Sequence, residues 1–173
     1  MKDVIAQAFG IAAFIVAMLS FQQKKQKTIA FMQFVSSALF TVNYLMLGAT
    51  VGFWMNIVGM VRGLVFSQRN EHAWARHIIW PILIIGACAL IVMLSEVSLL
   101  NILPVIGMIF STLALRCEKA STVRLLMLGS VPCWFIYNFA SGTIGGTLTE
   151  IANLISILVG MYRLDRKRGN TEK

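Results

Sequence analysis

Residues 40–56, FTVNYLMLGATVGFWMN, decide the fold, because residues 134–150, WFIYNFASGTIGGTLTE, match them without a gap at an offset of 94. The match extends over residues 5–69 and 99–163, where basic residues recur at the same loop positions. It predicts an internal repeat in which both units supply the same helices in the same order. The matched glycines of the quoted stretches are Gly48 with Gly142 and Gly52 with Gly146.

The composition is typical of a polytopic membrane protein. Of 173 residues, 58% are hydrophobic and 13% are charged, whereas a soluble domain is about half apolar and about a quarter charged. The net charge of +8 comes from short clusters between apolar runs, a pattern that indicates membrane topology and not nucleic-acid binding. The three cysteines have no CxxC or Cys/His spacing, so neither a structural metal site nor a disulfide framework is predicted.

Seven apolar runs are each long enough to approach the roughly 20 residues that a helix needs to cross the bilayer. A helix is expected in every case, because a segment that faces lipid must satisfy its own backbone hydrogen bonds. The fold class is therefore an all-α membrane protein with seven transmembrane helices. The predicted spans are 4–21, 28–47, 51–67, 78–95, 98–115, 123–140 and 143–162.

The repeat predicts how these helices are arranged. The whole chain, 1–173, forms a single transmembrane domain with a 3+1+3 order: repeat one covers 4–69 and repeat two covers 98–163. A linker helix at 78–95 joins them and keeps both units in the same orientation, so the repeats are parallel. A basic cytoplasmic tail, 164–173, follows.

Basic residues predict the orientation in the membrane. The connections after the first, third and fifth helices are rich in Lys and Arg, whereas LMLGATVG, SEVS and ASGTIGG contain neither. By the positive-inside rule, the N-terminus lies outside and the C-terminus lies in the cytoplasm. The basic residues concerned are Lys24, Lys25, Lys27, Arg69, Arg76, Arg116, Lys119, Arg124, Arg163, Arg166, Lys167, Arg168 and Lys173.

Polar residues inside the spans indicate a site. A charged side chain there costs roughly 2.5–3.5 kcal/mol on insertion scales and usually faces a bundle interior or a wet cavity. Glu150 shares one helical stripe with Asn153, and Asn56 has the matched depth in the third helix. Because repeat-built transporters bind substrate at the repeat interface, these stripes predict a polar space there. The second and sixth helices add Phe40, Asn43, Trp134 and Tyr137.

Packing is the alternative role for these residues, since small residues let transmembrane helices approach closely and Asn holds helices together. We prefer packing for the glycines and leave both roles open for Asn56 and Asn153. A cavity role is preferred for Glu150, with a neutral, hydrogen-bonded carboxyl as the alternative. Arg62 is expected to extend its long side chain to the cytoplasmic surface, with no role in the site beyond a gate contact at that surface.

A set of residues in the first repeat is recognisable: Ser20, Phe21, Gln22, Lys25, Lys27, Thr28, Gln33, Ser36, Tyr44, Gly48, Asn56 and Arg62. Through them the chain resembles the YgjV-type family of bacterial inner-membrane proteins, over nearly its whole length. The resemblance implies a multi-pass protein of the bacterial inner (plasma) membrane. It implies no established activity.

An aromatic residue is followed after sixteen residues by a polar one in both repeats, as Phe40 with Asn56 and as Trp134 with Glu150, and Tyr137 lies between the second pair. This spacing resembles that of the SWEET, SemiSWEET and PQ-loop transporters, where a Trp precedes a pore Asn on the third helix. The resemblance implies paired pore positions for Asn56 and Glu150, and stacking positions for the two aromatic residues. The Pro-Gln signature of those families is missing from both repeats.

Two functions are compatible with this sequence. The first is a transporter or facilitator of a small polar or cationic solute, without cofactor or metal; the alternative is a non-transporting membrane partner or sensor of the same fold. An enzyme is not predicted, because HExxH, GxSxG and P-loop motifs are missing from the sequence. The expected partners are the lipid bilayer and an unknown solute but not nucleic acid, and a homo-oligomer stays open. The predicted substrate-binding residues are Asn56, Glu150, Asn153, Phe40, Trp134, Asn43 and Tyr137.

Overall fold

A computed structural model of the chain describes residues 2–21, 26–69, 71–114, 117 and 120–162. Within these residues the chain forms seven α-helices and one short 3-10 helix, without a strand. The seven predicted helices are confirmed, and their ends lie within three residues of the predicted ones. The helices are α1 (Lys2–Phe21), α2 (Gln26–Leu47), α3 (Thr50–Ser67), α4 (Ile79–Leu94), α5 (Leu99–Ala114), α6 (Ala120–Ala140) and α7 (Ile144–Gly160), with the 3-10 helix at Ala73–Arg76 between α3 and α4.

Three segments are both long and apolar enough to cross a membrane by themselves: Lys2–Ser20, Thr50–Ser67 and Ser121–Ala140. The other apolar helices are shorter, at 10–17 residues. Large apolar side chains cover the outside of the helices; Met93 and Leu94 at the end of α4, for example, are 75% and 81% exposed. Such a surface is unfavourable in water and suits the hydrocarbon of a bilayer.

Six helices form a closed ring. Going around it, α1 packs against α2, α2 against α3, α3 against α5, α5 against α6, α6 against α7, and α7 against α1. The fourth helix, α4, packs against α3 and α5. The polar side chains of the ring helices therefore converge on one central space.

Glycines determine two features of the ring. Gly48 and Gly142 follow α2 and α6 with φ angles of +73° and +69°, a left-handed conformation that glycine adopts without steric cost. Gly145 of α7 lies directly against the backbone of α1, since a Cβ atom added there would be 2.0 Å from the carbonyl oxygen of Gly10. The end of the ring that contains Gly48 and Gly142 is called the glycine-turn end below.

Serine hydroxyls join neighbouring helices at two places. Ser36 Oγ of α2 donates to the carbonyl oxygen of Ala13 in α1 at 2.9 Å. Ser130 Oγ of α6 donates to the carbonyl oxygen of Gly107 in α5 at 2.8 Å. Both serines are buried, and donor and acceptor of the second pair lie 94 residues after those of the first.

Part of the orientation prediction lies outside the described residues. This concerns Lys24, Lys25, Arg116, Lys119 and the tail from Arg163 to Lys173. The positive-inside assignment therefore stays a prediction from the sequence.

Candidate solute site inside the helix ring

A cavity of about 580 Å³ lies inside the ring and is lined by residues of α1, α2, α3, α5, α6 and α7. It begins beside Tyr44 and Asn138 near the glycine-turn end. From there it continues to Ser20, Arg124 and Gly160, each of which lies within about two turns of the helix end that is opposite the glycine turns. Its volume falls in the range of small-molecule sites, roughly 300–1,000 Å³.

Buried hydrogen bonds close the cavity toward the glycine-turn end. Tyr44 Oη of α2 donates to Asn138 Oδ1 of α6. Tyr137 Oη accepts from the backbone N–H of Gly52 in α3 at 2.6 Å. The two tyrosine rings lie against each other, with 6.1 Å between their centroids. Because a Cβ atom on Gly52 would approach the Tyr44 ring to 2.6 Å, only glycine allows α3 to lie this close.

A second group of bonds seals the same end beside α1. Thr143 Oγ1 donates to Asn43 Oδ1 at 2.6 Å, and Asn43 Nδ2 donates to the carbonyl oxygen of Ala6 at 2.7 Å. Gln7 bridges α1 and α7: its Nε2 donates to the Gly142 carbonyl oxygen at 2.8 Å, and its Oε1 accepts from the Ile144 N–H at 3.0 Å. The turn before α7 is thus fixed to two other helices.

Five of the predicted site residues line the cavity. Asn56 Nδ2 donates to the carbonyl oxygen of Gly52 in its own helix at 2.9 Å. Asn153 Nδ2 donates to Glu150 Oε2, also within one helix, at 3.4 Å, and Asn153 Oδ1 is buried without a partner among the described residues. Among the described residues, neither of these two side chains bonds to a neighbouring helix. The five residues are Phe40, Asn56, Trp134, Glu150 and Asn153.

Two predicted site residues do not line the cavity. Asn43 and Tyr137 are fully buried and are bonded to neighbouring helices at the closed end. Their neighbours Tyr44 and Asn138, one position further along each helix, line the cavity instead. Successive helical residues point about 100° apart, so a shift of one position changes the face from the cavity to a packed seam.

The expectation for Arg62 is wrong. Its side chain does not extend along the helix to a membrane surface but lines the cavity, where Nη1 donates to Ser111 Oγ of α5 at 2.5 Å. The sequence contains a signal for this position, because Asn56, Gly59 and Arg62 follow one another at steps of three and so share a helical face. The side chain of a helical residue also leans toward the helix N-terminus, here toward Asn56.

The chemical groups of the cavity are amides, hydroxyls, aromatic rings, a carboxylate and guanidinium groups. Glu150 and Arg62 both face this space, yet no carboxylate lies within 4 Å of the Arg62 guanidinium among the described residues. In the same part of the chain, no group of three or more His, Cys, Asp or Glu side chains could hold a metal ion. The arrangement is suited to hydrogen bonding and charge recognition.

Comparison with known proteins identifies the family. The sequence model of a bacterial inner membrane protein family, Imp-YgjV, matches residues 4–168. The chain belongs to the Imp-YgjV family. Inner membrane protein YgjV of Escherichia coli (strain K12) is 34% identical over 167 residues, which cover 95% of this chain and 88% of that protein. No solved structure matches the chain.

Membership of the Imp-YgjV family confirms the predicted location in the bacterial inner membrane. The seven helices and their apolar outer surfaces agree with a multi-pass protein.

Proposed function

We propose that this Imp-YgjV protein is a transporter or facilitator of a small polar or cationic solute, which binds in the central cavity. The observation that carries the proposal is the cavity itself, which places Asn56, Glu150 and Asn153 around a space of about 580 Å³ inside a membrane protein. An ionisable residue at membrane depth is costly, and it usually marks a solute or ion pathway. A core that served packing alone would leave no such space.

The proposal includes two parallel three-helix repeats, with α4 as the linker. The bonds from Ser36 to Ala13 and from Ser130 to Gly107 support it, because they join equivalent helices at positions 94 residues apart. The two glycine turns, with their similar positive φ angles, support it as well. Tyr44 and Asn138, which bond to each other, are themselves 94 residues apart. A contact between counterpart positions is expected on the axis that relates two units.

Each lining residue has a role in this proposal. Phe40 and Trp134 cover the apolar or cationic face of the solute, since aromatic rings attract cations. Asn56 and Asn153 donate and accept hydrogen bonds. Glu150 supplies a negative charge or takes up a proton that couples transport. No catalytic activity is proposed.

The proposed orientation places the N-terminus outside and the C-terminus in the cytoplasm. The glycine-turn end then faces outward and the opposite end faces the cytoplasm, in agreement with the distribution of Lys and Arg along the sequence. The described conformation would be closed to the outside. Transport would require the hydrogen bonds beside Tyr44 and Tyr137 to open.

A non-transporting membrane partner or sensor is the second candidate. The buried bonds at the glycine-turn end favour it, because they seal one side of the cavity completely enough to bury Tyr44, Asn138 and Thr143. In that case the cavity would be reached from one side alone. The two candidates thus differ in a property that can be measured.

Cysteine accessibility separates the candidates. After the native Cys88, Cys117 and Cys133 are replaced by serine, Asn56→Cys and Asn153→Cys are labelled with a membrane-impermeant reagent from each side. A transporter is labelled from both sides, and a sealed partner from one side or from neither. Gly86→Cys is the control, since Gly86 is exposed on α4 and does not line the cavity.

Uptake into proteoliposomes tests the role of Glu150. Radiolabelled polar and cationic solutes are screened with the wild-type protein, and Glu150→Gln is expected to abolish uptake or its coupling while the protein stays folded. Glu96→Gln is the matched control, because Glu96 is an exposed residue of the connection between α4 and α5. Wild-type uptake by the Glu150→Gln variant would contradict the proposed mechanism.

A further inference from the structure

Arg62 is a cation inside the ring, and none of the described residues forms an ion pair with it. Its guanidinium has five N–H donors in a fixed planar fork, and one of them bonds to Ser111 Oγ. That acceptor is neutral, and its own hydroxyl points to the Met108 carbonyl oxygen at 3.2 Å. Among the described residues, no carboxylate lies within 4 Å of the guanidinium. The remaining donors are available to an acceptor in the cavity.

Such an arrangement calls for an anion. A charge at membrane depth is normally paired, because water no longer solvates it well. Arg62 is not paired with Glu150, although both line the same cavity. Glu150 lies eight residues after the glycine turn at Gly142. Arg62 lies fourteen residues after the other glycine turn, at Gly48. At 1.5 Å per residue, their positions thus differ by about 9 Å in depth below the two glycine turns.

The cavity therefore presents a negative and a positive group at two different depths. A solute with a single positive charge would satisfy Glu150 and be repelled by Arg62, whereas a simple anion would meet the opposite difficulty. A solute with both charges satisfies both residues. Guanidinium binds carboxylate or phosphate oxygens in pairs, so the anionic group belongs to that class.

We propose that Arg62 forms an oxyanion subsite and that the solute is zwitterionic, with an ammonium group toward Glu150 and a carboxylate or phosphate toward Arg62. This inference rests on the proposed function, because it names the class of solute for the same cavity. It also gives Arg62 a binding role that the sequence did not suggest. Each of these two charged side chains would then face a group of opposite charge on the bound solute.

Binding of matched probes to the purified full-length protein in detergent tests the inference. The zwitterions are γ-aminobutyrate, ε-aminocaproate and phosphoethanolamine. The corresponding amines are butylamine, hexylamine and ethanolamine, and the anions are butyrate and caproate. We expect at least one zwitterion to bind about tenfold or more tightly than the corresponding amine, the effect of one charge-assisted hydrogen-bonded contact. Comparison of the affinity for phosphoethanolamine with the affinities for the two amino acids shows whether the subsite prefers phosphate or carboxylate.

Substitutions of Arg62 test whether the preference for the zwitterion depends on its guanidinium group. Arg62→Gln should lose the tenfold preference for the zwitterion and bind the amine at least as tightly as the wild type, because the repelling charge is removed. Arg76→Gln, on the 3-10 helix outside the cavity, should change neither. Arg62→Lys serves if Arg62→Gln does not fold. Lysine retains the charge without the planar fork, so the preference should fall by at least about threefold.

Three results would overturn the inference: no zwitterion binds, the amine binds as tightly as its zwitterion, or the preference survives unchanged in the Arg62 variants. The labelling of Asn56→Cys then shows whether the anion subsite alone is wrong or the proposed transport function is wrong as well. If that cysteine is labelled from both sides, the anion subsite alone is wrong. If it is labelled from one side alone or from neither side, the transporter proposal fails with it.

Discussion

The two halves of the central space use polar residues in opposite ways. Near the glycine-turn end, side chains bond across the ring: Tyr44 of α2 reaches Asn138 of α6, and Tyr137 of α6 meets the backbone of α3. Further along, Asn56 bonds to the carbonyl oxygen of Gly52 within α3, and Asn153 bonds to Glu150 within α7. The first half is closed, and the second contains the cavity.

The difference shows why some polar residues close the ring while others line the cavity. A bond between helices consumes the hydrogen-bonding capacity of both partners and draws the backbones together, which Gly52 allows. A bond within one helix leaves the facing helix uncommitted, so the space between them stays available to a solute. Whether a polar residue closes the ring or lines the cavity is therefore determined by the location of its hydrogen-bond partner and not by its polarity.

The largest expected effect comes from forcing apart α1 and α7 beside the closed half. Gly145→Leu places a side chain where even a Cβ atom would lie 2.0 Å from the Gly10 carbonyl oxygen. We expect a loss of at least about 3 kcal/mol in the free energy of unfolding, from overpacking that the backbone cannot relieve. The yield of monodisperse protein and its thermal unfolding midpoint in detergent measure this loss.

Gly86→Leu is the matched control for that substitution. Gly86 lies in α4 with no atom within 4 Å of a Cβ atom added there, so the same change should alter the free energy of unfolding by no more than about 0.5 kcal/mol. Equal behaviour of the two leucine variants would mean that α1 and α7 are not in close contact.

A smaller effect is expected from the bond that closes the cavity. Tyr44→Phe removes the hydroxyl that donates to Asn138 and leaves a buried amide oxygen without its partner. This should cost about 1–2 kcal/mol. The double-mutant cycle with Asn138→Leu measures the coupling, because the double variant no longer contains the unsatisfied amide. Strictly additive losses would show that the two side chains do not bond.

The proposed equivalence of the two three-helix units can be tested with a matched pair of variants. Ser36→Ala and Ser130→Ala each remove one hydroxyl that bonds to a neighbouring helix. Bonds of this kind contribute about 0.6 kcal/mol on average in membrane proteins, and we expect equal shifts of the unfolding midpoint. A large loss in one variant and none in the other would contradict the equivalence.

An effect of opposite sign is expected at Thr112 in α5. This side chain is completely buried, and its hydroxyl has no partner in the described part of the chain. Thr112→Val keeps the shape and removes the unsatisfied group, so stability should stay unchanged or rise by up to about 1 kcal/mol. A loss as large as that of Ser36→Ala would reveal a bond to Thr112 that the structure lacks.

Much of the fold could be predicted from the sequence because the bilayer imposes a minimum length of apolar residues on each helix. The ends of α2 and α6 followed from Gly48 and Gly142, whose positive φ angles other residues adopt poorly. The cavity positions of Asn56 and Glu150 followed from their shared spacing after an aromatic residue.

The assignments that failed depended on tertiary neighbours. Asn43 and Tyr137 have the composition of site residues, yet their partners Ala6 and Gly52 belong to other helices. Arg62 could have reached the membrane surface with its long side chain, and only the presence of Ser111 in α5 shows that it does not. The spacing of Asn56, Gly59 and Arg62 indicates a shared helical face, but no pattern within a single helix identifies a partner on another helix.

The contact between Tyr44 and Asn138 has a consequence for how such a molecule could arise. Two identical subunits that meet about a two-fold axis present the same residue to each other there, Tyr facing Tyr or Asn facing Asn. Under the two-unit proposal, a phenol opposite an amide at counterpart positions requires two units of different sequence, which a single chain that contains both units provides. Covalent joining would then have allowed a donor and an acceptor to specialise at a place where a homodimer has no such choice.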